Sequence, residues 1–162
     1  MLQKELKRTL DTLGIMKELE MTVGQLYRTC GETWAEDKEF WSRMEQAELK
    51  HARNIDDMIK IMQERPESFE LGHPFRRSTV HIFISSVRSN IERLEKQDIA
   101  KDKILFVARD IEESLLESKY GEIVRSSDIE FQTLMKQIVF DTKTHKDWLN
   151  EKIAQCSLKT EK

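Results

Sequence analysis

Cysteine, proline and glycine are all scarce in this chain. The two cysteines, Cys30 and Cys156, lie far apart and form neither a Cys-x-x-Cys metal pair nor a disulfide framework, so both read as ordinary thiols. Five glycines and two prolines, Pro66 and Pro74, leave few helix breakers. Long apolar runs are also missing. Val80 to Val87 is interrupted by His81, Ser85 and Ser86 and falls far short of the roughly 20 residues that span a bilayer, so no membrane is expected. Charge of one sign is missing as well: the net charge of −3 arises from interspersed Lys, Arg, Glu and Asp. No broad basic face is available to neutralise phosphates, and nucleic acid is not an expected partner. Lys4, Glu5, Lys7 and Arg8 precede a broken apolar pattern that does not resemble a secretory signal, and a cytoplasmic location is expected.

What remains is the material of long amphipathic helices. Charged residues make up 35% of the chain and apolar residues 38%, and 162 residues suffice for one domain, 1–162, with a continuous core. Leu6, Leu10, Leu13, Met16, Val23, Tyr27 and Cys30 recur every three or four positions and predict a first helix from about Lys4 to Cys30, with Gly31 suited to its end. Phe40, Trp41, Met44, Ala47, Ile55, Met58, Ile59 and Met62 predict a second, stopped by Arg65 and Pro66. The irregular segment Glu67 to Arg77 leads into a stretch capped by Ser78 or Thr79 and running to about Lys96. A third main helix follows from about Ile99 to Ile123. A fourth is capped by Ser126, Ser127 or Asp128 and carried by Phe131, Leu134, Met135, Ile138, Trp148, Leu149 and Ile153. Two helical hairpins flanking one long connection predict an all-α protein, a four-helix bundle whose crossover carries an additional short helix.

Polar residues interrupt the apolar stripes at matching places. Glu48 and His51 stand in the stripe of the second helix, three apart and therefore on one face, where an oxygen and an imidazole nitrogen can serve a common ion. Glu20 falls in the stripe Leu13, Met16, Val23, Tyr27, and Glu112 lies between Ala108 and Leu115/Leu116. His145 shares the face of Ile138 and Leu149. Leu19-Glu20 followed by Tyr27 and Ile111-Glu112 followed by Tyr120 suggest a weak internal duplication. One inward Glu from each of two helices, with Glu-x-x-His from each of the others, is the ligand set of di-iron carboxylate bundles; this chain supplies five of the six.

The run Glu20-Met-Thr-Val-Gly-Gln-Leu-Tyr27, with Glu39-Phe-Trp41 and Ala47-Glu48-Leu-Lys-His51-Ala52, resembles the first hairpin of rubrerythrin-like proteins of the ferritin-like superfamily. Ala108-Arg-Asp-Ile-Glu112-Glu-Ser-Leu-Leu-Glu117 resembles that family's third helix. The resemblance implies a ferritin-like bundle in which Glu20, Glu48, His51, Glu112 and His145 ligate iron, with Tyr27 and Tyr120 as hydrogen-bond partners of the carboxylates. It implies two iron ions where the site is complete, one iron or zinc otherwise, peroxide or dioxygen as substrate, a separate electron donor, and a homodimer. Glu113 is an alternate for Glu112, although its face carries Asp110 and Glu117. Two departures stand out. Thr142 occupies the position of the second Glu-x-x-His carboxylate, with Asp141 as the nearest substitute, and no Cys-x-x-Cys iron module is present.

Plainer roles stand beside these. Glu48 and His51 suit a structural network with a lysine such as Lys17; Tyr27 and Tyr120 suit core aromatics; Trp34, Trp41 and Trp148 suit packing. His73, His81 and the cluster Arg76, Arg77 and Arg88 suit a solvated surface. Three function classes follow: a peroxide- or dioxygen-reducing oxidoreductase, a metal-binding protein without turnover, and a metal-free bundle acting as a dimeric interaction module.

Overall fold

The computed structural model describes residues 2–70, 77–117 and 124–160. Five helices account for nearly all of them: α1 (Leu2–Thr33), α2 (Lys38–Glu64), α3 (Arg77–Glu95), α4 (Lys101–Glu117) and α5 (Ile129–Thr160). Short 3₁₀ turns at Ala35–Asp37 and Pro66–Ser68 follow α1 and α2. Two-residue strands, β1 (Phe69–Glu70) and β2 (Arg125–Ser126), pair antiparallel with Phe69 opposite Ser126 and tie the connection after α2 to the start of α5. Among the described residues no helix is long and apolar enough to cross a membrane.

The apolar stripes explain the packing. Leu13, Met16, Val23, Leu26 and Tyr27 of α1 bury against Met44, Ile55, Met58 and Met62 of α2, and the core continues through Ile104, Leu105 and Ala108 of α4 and Phe131, Ile138 and Leu149 of α5. Val80, Ile84, Val87, Ile91 and Leu94 give α3 a buried stripe against α1. At roughly 1.5–3 kcal/mol for each fully buried large apolar side chain, this continuous core supplies the main driving force for folding.

Ion pairs establish helix direction. Lys17 meets Asp56 at 2.8 Å and His51 faces Glu20, so α1 and α2 are antiparallel. Arg65 reaches Asp128 while Arg43 lies over the Trp148 ring, which sets α2 antiparallel to α5. Lys146 pairs with Glu113, and buried Asp37 binds both Lys101 at the start of α4 and Lys152 near the end of α5, which sets α4 antiparallel to α5. Helices α2 and α4 therefore run in the same direction, and the chain between them returns along the molecule through α3. Asp11–Arg77 and Glu18–Arg88 pairs hold α3 parallel to α1.

Two expectations are revised. Gly31 does not end the first helix, which continues to Thr33; a Cβ there would lie 3.3 Å from the Trp41 Cβ, so this glycine serves close approach of α1 to α2. Lys17 belongs to Asp56 rather than to a Glu48–His51 network. Arg77 and Arg88 are exposed, as expected of a solvated surface, and pair there with Asp11 and Glu18 of α1. The cap of α5 is Asp128, whose Oδ1 accepts from the Phe131 amide at 3.0 Å. Tyr120, His73 and Arg76 lie outside the described residues.

Candidate metal centre

Each inward polar group is carried to one level of the molecule by the stripe it interrupts. Glu20 sits between Met16 and Val23, Glu48 between Met44 and Ile55, and Glu112 beside Ala108 and Leu115, all buried. With apolar neighbours a turn away on both sides, these side chains have no route to solvent. Gly24, one turn beyond Glu20, faces Glu48 across the helix pair: a Cβ at this position would stand 3.4 Å from the Glu48 Cβ, an ordinary van der Waals contact. Glu20, Glu48, His51, Glu112 and His145 are each at most 2% exposed.

Glu48 is the hinge of the arrangement. Its Oε2 lies 3.3 Å from His51 Nδ1 and its Oε1 lies 2.9 Å from His145 Nδ1. Glu20 Oε2 is 3.7 Å from the same nitrogen of His51, and Glu112 Oε1 is 3.7 Å from that of His145. The two imidazole rings stack with centroids 5.6 Å apart. Two sets result, Glu20–Glu48–His51 and Glu48–Glu112–His145, each with its potential ligand atoms within 4.8 Å of one another and both drawing on Glu48. Although Glu48 Oε1 and His145 Nδ1 are close, they are not aligned as donor and acceptor, and among the described residues they and Glu112 Oε2 have no hydrogen-bond partner. Buried polar atoms without partners are rare because each costs about 1–3 kcal/mol.

Protons supply the compensating charge when no cation does. Burial alone would lower both imidazoles, but the adjacent Glu20 and Glu48 carboxylates push His51 up to about 11, and the adjacent Glu112 and Glu48 carboxylates push His145 up to about 10. Burial, with the Glu48 charge behind it, raises Glu20 to about 7. Burial and Glu112 act in the same upward direction on Glu48, yet the two imidazoles outweigh them and hold it below the usual carboxylate range.

Hydrogen bonds behind these groups orient them. The Tyr27 hydroxyl donates to Glu112 Oε1. His51 turns its other nitrogen, Nε2, to Asp141 Oδ2 at 3.2 Å, and Asp141 Oδ1 accepts from Gln137 at 2.9 Å. Asp141 thus sits behind His51 instead of replacing the carboxylate missing at Thr142. Thr142 is buried, and its hydroxyl donates to the Ile138 carbonyl at 2.8 Å. Glu113 points away to Lys146 at 3.0 Å. Apolar periodicity does not single out Gln137; the signal that could find it is an i, i+4 Gln–Asp pair.

The Tyr27 contact gives a test of its own. Tyr27→Phe should destabilise the metal-free protein by about 1–3 kcal/mol, because it removes the donor to a buried carboxylate. It should also weaken metal binding at the Glu112–His145 set by roughly 10–100-fold and spare the Glu20–His51 set. Thermal melting and metal titration read the two effects, and an unchanged second affinity would separate Tyr27 from the site. No protein-family model, curated protein or solved structure matches this chain.

Proposed function

We propose that this chain is a metal-binding protein of rubrerythrin-like, ferritin-like architecture that holds two divalent first-row ions, iron foremost, between α1, α2, α4 and α5. The observation that carries the proposal is that two buried carboxylate–imidazole sets share Glu48. A carboxylate with one oxygen toward each set is placed to bridge two ions, and mixed oxygen and imidazole ligands suit iron, manganese or zinc. The parallel course of α2 and α4, joined through α3, supports a ferritin-like crossover.

Residues of this chain divide the work. Glu20 and Glu112 provide one terminal carboxylate to each ion, His51 and His145 one nitrogen each, and Asp141 and Tyr27 hold His51 and Glu112 in orientation. Burial excludes bulk water. Three protein ligands per ion leave positions open for a small substrate, so iron bound here would supply a ferrous–ferric couple for reducing peroxide or dioxygen, with electrons from a separate donor. The protein acts in this reading as a cytoplasmic homodimer.

The test is metal content after anaerobic ferrous loading of protein purified without chelators. Wild type should hold more than one ion per chain, His51→Ala should lose at least half of it, and the exposed control His81→Ala should lose none. Equal loss in both variants, or no metal in wild type, overturns the proposal. A second reading has its own support: with both imidazoles protonated, their charge offsets that of the surrounding carboxylates, as a metal-free dimeric interaction module requires. Metal-free wild type sedimenting as a dimer would favour that module.

A further inference from the structure

We propose that the two metal positions are unequal: the Glu20–Glu48–His51 set holds a resident ion, the Glu48–Glu112–His145 set an exchangeable one, and Asp141 is the positioning residue that makes the difference. This rests on the two-metal reading above. The two sets match in their inner groups and differ behind the histidines. His51 presents Nδ1 to Glu20 and Glu48 and turns Nε2 to Asp141 Oδ2 at 3.2 Å. Donation of the Nε2 proton to Asp141 leaves the Nδ1 lone pair for an ion, fixes the ring in that tautomer and makes it a stronger ligand. His145 presents Nδ1 to Glu48 and Glu112 in the same way, yet among the described residues no carboxylate reaches its Nε2.

Helix register accounts for the asymmetry. Asp141 lies four residues before His145 on α5, so its counterpart on α2 is Ala47, four residues before His51. The antiparallel course that sets Asp141 opposite His51 and Trp148 opposite Arg43 also sets Ala47 opposite His145. A methyl group accepts no hydrogen bond. The pair Asp141-Thr142 therefore backs a histidine and supplies no carboxylate ligand, whereas Ala47-Glu48 supplies the ligand and backs no histidine. Charge acts in the same direction. Glu20, Asp141 and the shared Glu48 surround one position, Glu112 and the shared Glu48 the other, and a further negative charge attracts a dication more strongly in a buried site than in water. Tyr27 orients Glu112 but brings no charge. At free-metal levels between the two affinities the chain holds the first ion and takes up or releases the second.

The experiment titrates the full chain with Co²⁺ and follows visible absorption and ion stoichiometry. Variants that keep one position each, Glu112→Gln and Glu20→Gln, separate the affinity of a position from repulsion between neighbouring ions. Glu112→Gln should bind its ion about tenfold or more tightly than Glu20→Gln binds its own. Adding Asp141→Asn to Glu112→Gln should weaken binding by roughly 10–100-fold, and adding it to Glu20→Gln should leave binding unchanged. Adding Ala47→Asp to Glu20→Gln should place a carboxylate behind His145 and tighten binding by a similar factor, a gain that a merely structural role for Asp141 does not predict; Ala47 is half-buried, so the aspartate fits, and Ala47→Asn is the neutral control. Melting curves verify that each variant folds. Equal affinities in the two single-position variants, no loss with Asp141→Asn, or a gain with Ala47→Asp no greater than with Ala47→Asn overturns the inequality and leaves the two-metal site standing. Failure of wild type to bind two Co²⁺ ions overturns both.

Discussion

Glu48→Gln is expected to abolish both metal positions, whereas Glu20→Gln and Glu112→Gln should each remove one. The asymmetry follows from geometry: Glu48 belongs to both ligand sets, and the other two carboxylates to one each. Glutamine keeps the shape and one acceptor but removes the negative charge that both ions use. The loss at each position should exceed the roughly 10–100-fold that follows removal of an outer hydrogen-bond partner. The same substitution has a signature without metal. His51 and His145 owe part of their raised basicity to Glu48, so both should titrate at lower pH in Glu48→Gln, as imidazole proton resonances would record. Retention of one tightly bound ion in Glu48→Gln would mean that the two sets act independently and that the carboxylate does not bridge.

Raising the pH from about 6 to about 9 should destabilise the metal-free protein and strengthen the stabilisation that added metal provides. Glu20 moves from 4.5 to about 7 on folding, so between those values the native state keeps a proton that the unfolded chain has released, and stability falls as pH rises. His51 and His145 move from 6.5 to about 11 and about 10; their stabilisation is complete below 6.5 and is lost as pH climbs through the folded values. All three act in one direction in this window. Glu48 acts oppositely, but its folded value is depressed, so its contribution is present above 4.5 and is lost only in more acidic solution. Bound cations displace these protons, so metal affinity must rise with pH. The melting temperature of chelated protein should drop by about 5 °C or more over the interval, and the increment caused by metal should widen. A metal-free melting temperature that is flat or rises with pH would contradict the imidazolium–carboxylate network.

Much of this site is legible in the sequence, because a helix of 3.6 residues per turn makes an intruder in an apolar stripe conspicuous. Glu20, Glu48, His51, Glu112 and His145 each occupy a place where the period calls for an apolar side chain, and all five are buried together. Periodicity also favours Glu112 over Glu113, and Glu113 lies outward on Lys146. The helices themselves follow from the same pattern to within a few residues at most described ends. Their extreme ends do not, as Gly31 illustrates: a glycine near a helix end has the same letter whether it terminates the helix or admits a neighbouring one.

The sequence by itself determined that the chain is helical, which faces are apolar and which polar side chains those faces must bury, since these depend only on residues three or four apart. Tertiary structure alone decided that Glu48 turns one oxygen to each histidine, that Asp141 stands behind His51 rather than in place of a glutamate at Thr142, and that α2 and α4 run in the same direction. Each of these depends on residues dozens of positions apart, brought together by the burial of several stripes at once. Local spacing carries no record of which atom of one helix meets which atom of another.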